Sequence, residues 1–354
     1  GCRTNPAVER YHPDGGAWAA KPTLDPSSVQ ECWMMSGTVN RRIGETSRAK
    51  QWRSLKRGVK LHWELYVIIA IPVIWLLVFS YYPMYGVQIA FRKFIASKGI
   101  LGSPYVGLMY FEKFIKSYNF GRVIRNTLSI SLYDLVLGFP FPIILALLLN
   151  NSLRPRYKKF VQIVTYMPYF ISTVVMVGII IQFLSPKVGV VNYAITALGG
   201  KEVDFMGKPE YFKHIYVWSN IWQGTGWNAI IYLSALSAID PGQHEAALVD
   251  GANRFQRMWH VDLPGLMPAI SIMLTLRMGS IMSVGFEKAF LMQNNLNLST
   301  SEIISTYVYK TGLASAAPDY SYSAAIGLFN SVINLVLISI VNKINTRINE
   351  ISLW

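Results

Sequence analysis

The chain has 354 residues, of which 52% are hydrophobic and 15% charged, and its mean hydropathy is +0.31. Soluble domains carry about 25% charge, so the composition excludes an ordinary soluble globule and points to a membrane. The net charge of +14 does not indicate nucleic acid, because the basic residues flank apolar runs, as they do on the cytoplasmic side of spanning helices, and no basic, aromatic RNA-binding motif stands out.

Residues 1–58 are polar, with scattered Gly, Pro and Ser and no sustained period. They read as a disordered cytoplasmic tail. The only cysteines, Cys2 and Cys32, make neither a disulfide framework nor a zinc site, and His12, His62, His214, His244 and His260 show no metal-ligand spacing. Eight Lys or Arg residues between Arg41 and Lys60 form a topology signal that also suits anionic headgroups. The first apolar run begins near residue 65, too far in for an ordinary secretory signal.

From residue 59 to 354 the chain reads as an all-α, six-helix membrane domain. Its apolar runs are about Leu65–Val87, Thr127–Leu149, Phe160–Phe183, Ile215–Ala238, Leu266–Val284 and Ala324–Val341, each near the roughly 20 residues a helix needs to cross the hydrocarbon. Pro72, Pro140, Pro142, Pro168, Gly224 and Gly226 fall inside them, as packed membrane helices tolerate. Basic residues recur in the tail, at Arg154, Arg156, Lys158 and Lys159, at Arg254 and Arg257, and at Lys343 and Arg347. These places alternate along the chain, so both termini and the segment after the fourth run are expected in the cytoplasm. The loop from Gln88 to Arg125 is also basic and conflicts with this topology. In the loop after the fifth run, Ser299 and Glu302 have capping-box spacing ahead of Ile303, Ile304, Tyr307 and Val308. That pattern predicts an amphipathic surface helix, either reaching toward a partner or lying as a lid over the bundle.

Between the fourth and fifth runs lies "HEAALVDGANRFQRMWHVDLPGL" (residues 244–266). Asp240 with Pro241 reads as a capped helix start, with Gln243 able to reach back to the cap. The helix should break near Asp250–Gly251. A second short helix should carry Phe255, Met258 and Trp259 on one face and end at Leu263–Pro264, where the chain turns into the fifth span.

Glu245-Ala246-Ala247, Gly251, Val261 and Leu263-Pro264, at this spacing, resemble the EAA loop of permease subunits in binding-protein-dependent ABC importers. Val261 stands where that family prefers Ile, and Asp250 and Ala252 fit its common form. The resemblance covers roughly residues 60–354. "YYPMYGVQIAFRKF" (81–94), "YVGLMYFEKF" (105–114), "RNTLSISL" (125–132) and the C-terminal "YSYSAAIGLFNSVINLVLISIVNKI" are similar to the carbohydrate branch, most of all to polysaccharide and uronate-oligosaccharide permeases such as alginate importers. It implies a type I fold in the bacterial inner membrane with coupling helices between helices 4 and 5. Glu245 would contact an ATPase subunit, Ala246 and Ala247 would pack into its cleft, and Gly251 would set the turn. It also implies two ABC ATPase subunits that bind ATP and Mg, no cofactor in this chain, a second and different permease as heterodimer partner, an extracytoplasmic solute-binding protein and an oligosaccharide substrate. The sequence contains no G-x-x-x-x-G-K-[ST] phosphate loop, so this chain is not expected to be an enzyme. The alternative class is a secondary transporter or channel driven by an ion gradient, which would show internal repeats. None is evident.

The candidate substrate path lies on the fourth run, where Asn220, Gln223, Gly224 and Trp227 share one helical face. Aromatic rings and amides can bind sugar, but interfacial belts and interhelical bonding explain the same residues. Arg277 in the fifth run must face a cavity or a partner. It either attracts an acidic sugar's carboxylate or pairs with Asp134 of the second run, which lies at similar depth.

Overall fold

The structure is a computed structural model that describes residues 61–349. The expected tail, its basic cluster and both cysteines lie outside the described residues. The chain divides between Tyr82 and Pro83 into two units. In the first, α1 (Trp63–Leu76) continues into a π-turn over Leu77–Tyr81.

The second unit is helical, and only two isolated bridges interrupt it among the described residues. Its main helices are α2 (Tyr118–Tyr133), α3 (Pro140–Asn150), α4 (Pro155–Tyr166), α5 (Thr173–Phe183), α6 (Pro209–Ser237), α7 (Pro241–Val249), α8 (Leu263–Gly279), α9 (Phe286–Met292), α10 (Ile304–Tyr309) and α11 (Tyr320–Asn349). Among the described residues, four continuous helical stretches are long and apolar enough to cross a membrane: Trp63–Phe91, Tyr118–Asn150, Arg254–Gly279 and Tyr320–Arg347. The third apolar run is not a straight span. Pro155–Phe170 and Thr173–Phe183 meet at 99°, because Pro168 and the extended Ile171 interrupt the helical ladder and Ser172 caps a new helix.

Three of the prolines leave a common mark on the helices. π-turns at Leu77–Tyr81, Asp134–Gly138 and Met258–Asp262 are each followed two residues later by Pro83, Pro140 or Pro264. A proline has no N–H and clashes with the carbonyl four residues back. A π-turn shifts the hydrogen-bond register just before it, so the helix continues without a break. The expected stop at Leu263–Pro264 is therefore corrected: Arg254–Gly279 is one continuous helix of 26 residues.

Three apolar clusters hold the second unit together. One joins α2, α5, α6 and α9 around Ile130, Val177, Val217 and Ala289. Another joins α2, α10 and α11 around Phe114, Val123, Ile304 and Ile326. The third joins α3, α6 and α8 around Ala146, Tyr232 and Leu266, nearest the EAA segment. Gly226 lets α6 touch the α4 backbone, since a Cβ there would lie 2.1 Å from the Thr165 carbonyl oxygen. The helix expected from Ser299 starts instead at Ile304. Ile303, Ile304 and Tyr307 are buried, so their apolar face belongs to the core and the reading as a surface helix is corrected. The basic loop at 88–125 spends its charges locally. Arg92 donates to the carbonyls of Leu101 and Ser103, Lys113 pairs with Asp319 at 3.2 Å, Lys116 pairs with Glu112, and Arg122 pairs with Glu302.

Candidate functional site

The polar centre of the second unit is built on α6. Asn220 Nδ2 donates to Asp134 Oδ1 at 2.9 Å. Asp134 begins the π-turn that precedes Pro140, and a Cβ on Gly138 would come within 3.2 Å of its carboxylate. Arg277, near the end of α8, places Nη1 3.6 Å from Asp134 Oδ2. The pair expected from equal depth is thus present, but the guanidinium lies beyond hydrogen-bonding range. Its side chain is 42% exposed against 16% for Asp134, and among the described residues it donates no hydrogen bond.

Asp134, Asn220 and Arg277 line two cavities at once, one of about 260 Å³ and one of about 480 Å³. The three side chains form a septum between them. Gln223, Gly224 and Asn228 line the larger cavity, while Tyr216, Ser280 and Ser283 line the smaller. The expected face of α6 therefore points into this space, with two adjustments. Gln223 Nε2 donates to the Ile171 carbonyl at 2.9 Å, satisfying a group freed by the break between α4 and α5. Trp227 stacks on Tyr169 with ring centroids 4.6 Å apart and planes 4° from parallel, its edge against Phe170. The stack ties α6 to the bend between α4 and α5.

The EAA segment folds as a separate, exposed device. Asp240 accepts from Gly242 N at 2.9 Å and caps α7; the expected partner Gln243 makes no such side-chain bond, and a full capping box lies instead between Asn253 and Gln256. At the other end Gly251 N donates to Leu248 O and Ala252 N to Ala247 O, at 3.0 and 2.9 Å. This is a Schellman closure, and it places Gly251 at φ +79°. Glu245, Ala246, Asp250 and Pro264 are exposed, and Ala247 and Leu263 are half-buried. Leu248, Val249, Phe255 and Trp259 are exposed around the same turn.

Sequence reasoning missed the residue that ties this device down. Asp262 is fully buried. It accepts from Asn150 Nδ2 at 3.3 Å and Asn151 Nδ2 at 2.9 Å, and His244 Nε2 lies 3.4 Å from it. It links α7, the α3–α4 corner and the root of the fifth helix. The one available signal was an acidic residue directly before Leu263-Pro264. Lys288 was also missed. It is 6% exposed, and its Nζ has no hydrogen-bond partner among the described residues and lies 5.3 Å from the Tyr216 ring centroid.

An exposed, capped helix with a glycine turn, joined by long helices to a polar septum, is the arrangement expected of the membrane subunit of an ABC importer. The chain belongs to the family described as binding-protein-dependent transport system inner membrane component, which it matches over residues 138–350, and within it to the carbohydrate branch of type I permeases. It is 41% identical to Protein LplB of Bacillus subtilis, over 82% of this chain and 91% of that protein. It is 38% identical to the polygalacturonan/rhamnogalacturonan transport system permease protein YteP of the same organism, over 81% of this chain and 88% of the relative. Among solved structures it is similar to a chain of a bacterial ABC transporter involved in the import of the acidic polysaccharide alginate. That match has a TM-score of 0.76 at 39% identity and covers 83% of this chain and 99% of the other. A second alginate transporter structure, in complex with alginate pentasaccharide-bound periplasmic protein, matches equally well.

Proposed function

We propose that this chain is one permease subunit of a bacterial inner-membrane importer for oligosaccharides, acidic ones such as uronates in particular. ATP and Mg bind to two partner ATPase subunits. A second, different permease completes the path, and an extracytoplasmic binding protein delivers the sugar. Six helical passages cross the membrane, the bent α4–α5 pair serving as the third and α6 as the fourth. Both termini and the EAA turn lie in the cytoplasm.

The observation that carries this reading is the fold of the EAA segment. It is a capped helix with a glycine turn, exposed at its Glu245 and Ala246 face, at the root of the two helices that bear the septum. Docked in an ATPase cleft, it would move those helices when ATP closes the ATPase dimer. The preference for acidic sugars is supported by the alginate and polygalacturonan importers among the similar proteins. It is also supported by Arg277, whose unused donors face both cavities and match a carboxylate with two parallel bonds. Asn220 and Gly224 line the path, and Gln223 and Trp227 hold its wall.

The test is reconstitution with the partner subunits. Binding protein loaded with oligouronate should stimulate ATP hydrolysis, and a Walker-dead ATPase should abolish uptake. Uptake that persists without ATP hydrolysis and follows an ion gradient would overturn the reading in favour of a secondary transporter.

A further inference from the structure

The septum has more positive than negative charge within reach. Among the described residues, Asp134 is the one carboxylate and Arg277 the one cation that line it. Lys288 adds a second cation behind the Tyr216 ring, which walls the smaller cavity and whose hydroxyl donates to Gly285 O. Lys288 is buried without a hydrogen bond among the described residues, on a helix that also buries Ala289 and Met292. An ammonium in such a place is costly unless a charge answers it. Burial pushes its pKa down to about 8, and the field of Asp134 acts against that shift. Arg277 holds Asp134 only at 3.6 Å and makes no hydrogen bond to it, while Asn220 fixes the other carboxylate oxygen.

A carboxylate arriving on Arg277 would leave Asp134 without its counter-charge in a confined site. We propose that the septum is a carboxylate-exchange subsite: a carboxylate of an acidic saccharide takes Arg277 from Asp134, and Lys288 supplies the counter-charge that Asp134 then needs. With the saccharide bound, two carboxylates face two cations, and the septum is neutral. Without Lys288 the same event would leave one excess negative charge. The inference rests on the acidic-sugar reading above and adds a residue outside the cavity lining to it.

The experiment uses the full importer with its ATPase subunits and binding protein in proteoliposomes, with an oligouronate as the probe. K288M complexes that assemble should take up the oligouronate at least about tenfold more slowly than wild type, as expected when one member of a buried charge set is removed. K288R, which keeps the charge, should stay close to wild type. D134N removes the carboxylate that Lys288 serves, so K288M/D134N should recover uptake to near the level of D134N alone. A K288M complex that transports as wild type overturns the proposal. So does a loss that D134N fails to relieve, because Lys288 would then act only through packing. If K288M does not assemble, the comparison of K288R with K288Q, each with and without D134N, carries the same two outcomes. If the wild-type importer takes up no oligouronate but does take up a neutral oligosaccharide, the acidic-sugar reading itself fails. Normal wild-type uptake with an indifferent Lys288 rejects the exchange alone.

Discussion

Gly224 and Gly226 are two residues apart on α6, and the structure assigns them opposite tolerances. A Cβ on Gly226 would lie 2.1 Å from the Thr165 carbonyl oxygen and 2.4 Å from its carbon. That is about 1.3 Å short of ordinary contact, and the obstacle is helix backbone, which cannot rotate away as a side chain can. For Gly226→Ala, α4 and α6 must separate by a comparable distance. The Trp227–Tyr169 stack beside them should loosen as well. Overpacking of this kind costs about 1–3 kcal/mol or more. At Gly224 the only close atom is Asn228 Nδ2, at 3.3 Å, the far end of a side chain that can yield. Gly224→Ala also gains helix propensity of up to about 1 kcal/mol, so its net effect should be near zero. The assay is thermal unfolding of the detergent-purified chain, followed by tryptophan fluorescence, for both variants in parallel. Gly226→Ala should lower the midpoint by several degrees and Gly224→Ala should leave it nearly unchanged. Equal midpoints for the two variants would refute the close approach of α4 and α6.

Other substitutions test the proposed coupling role of α7 and its turn. Glu245→Lys puts the wrong charge on the exposed face of α7 and should leave ATP hydrolysis running while uptake falls; normal uptake in an assembled complex removes Glu245 from the handle. Gly251→Val forces a β-branched residue into φ +79°, at a cost of about 1–2 kcal/mol, and should weaken co-purification with the ATPase more than Gly251→Asn does. Asp262→Leu takes the acceptor from Asn150 and the carboxylate from beside His244, while Asn151 keeps its bond to the Leu147 carbonyl. A half-buried donor left unmet costs up to about 1–3 kcal/mol, so the unfolding midpoint should drop below that of the exposed control Asp250→Leu.

Much of this was legible in the sequence because membrane helices declare themselves by length and polarity. The runs at Leu65, Thr127 and Ala324 reappear as helices, and the Asp240 cap and Gly251 turn fall where residue chemistry put them. The Arg277–Asp134 pair followed from counting depth along two helices. What was illegible depended on a third dimension. A proline can end a helix, break it or be absorbed by a π-turn. Pro168 and Pro264 took different paths because the first is followed by the extended Ile171 and a new helix capped by Ser172, whereas the second continues an established register. Gln223 read equally as a path-lining amide and as an interhelical bond, and its partner, the Ile171 carbonyl, could not be named in advance because it is freed only once the third run is bent. Lys288 and Asp262 gave almost no signal, since a single charge in a loop becomes significant only when neighbours distant in sequence bury it.

The absorbed proline matters for the mechanism. Asp262 and Arg277 belong to the same continuous helix, Arg254–Gly279. They are fifteen positions apart, roughly 22 Å at 1.5 Å per residue. Had the chain broken at Leu263–Pro264, a push on the EAA turn would have been dissipated at a hinge. With the helix intact, any tilt at its Asp262 root is carried to Arg277 at the septum. α6 provides the second arm: it bears Asn220 at the septum and leads through Ala238 and Ile239 directly to the Asp240 cap of α7. His244 of α7 meets Asp262 of the other arm. The two arms are thus joined at the handle and meet again at the septum, where Asn220 and Arg277 hold opposite oxygens of Asp134. A small rotation of one arm against the other changes the Arg277–Asp134 separation first, because at 3.6 Å it is the weakest joint in the loop. Under the proposed mechanism, the contact for which an acidic substrate would compete is therefore the one that a rotation of the arms would open first.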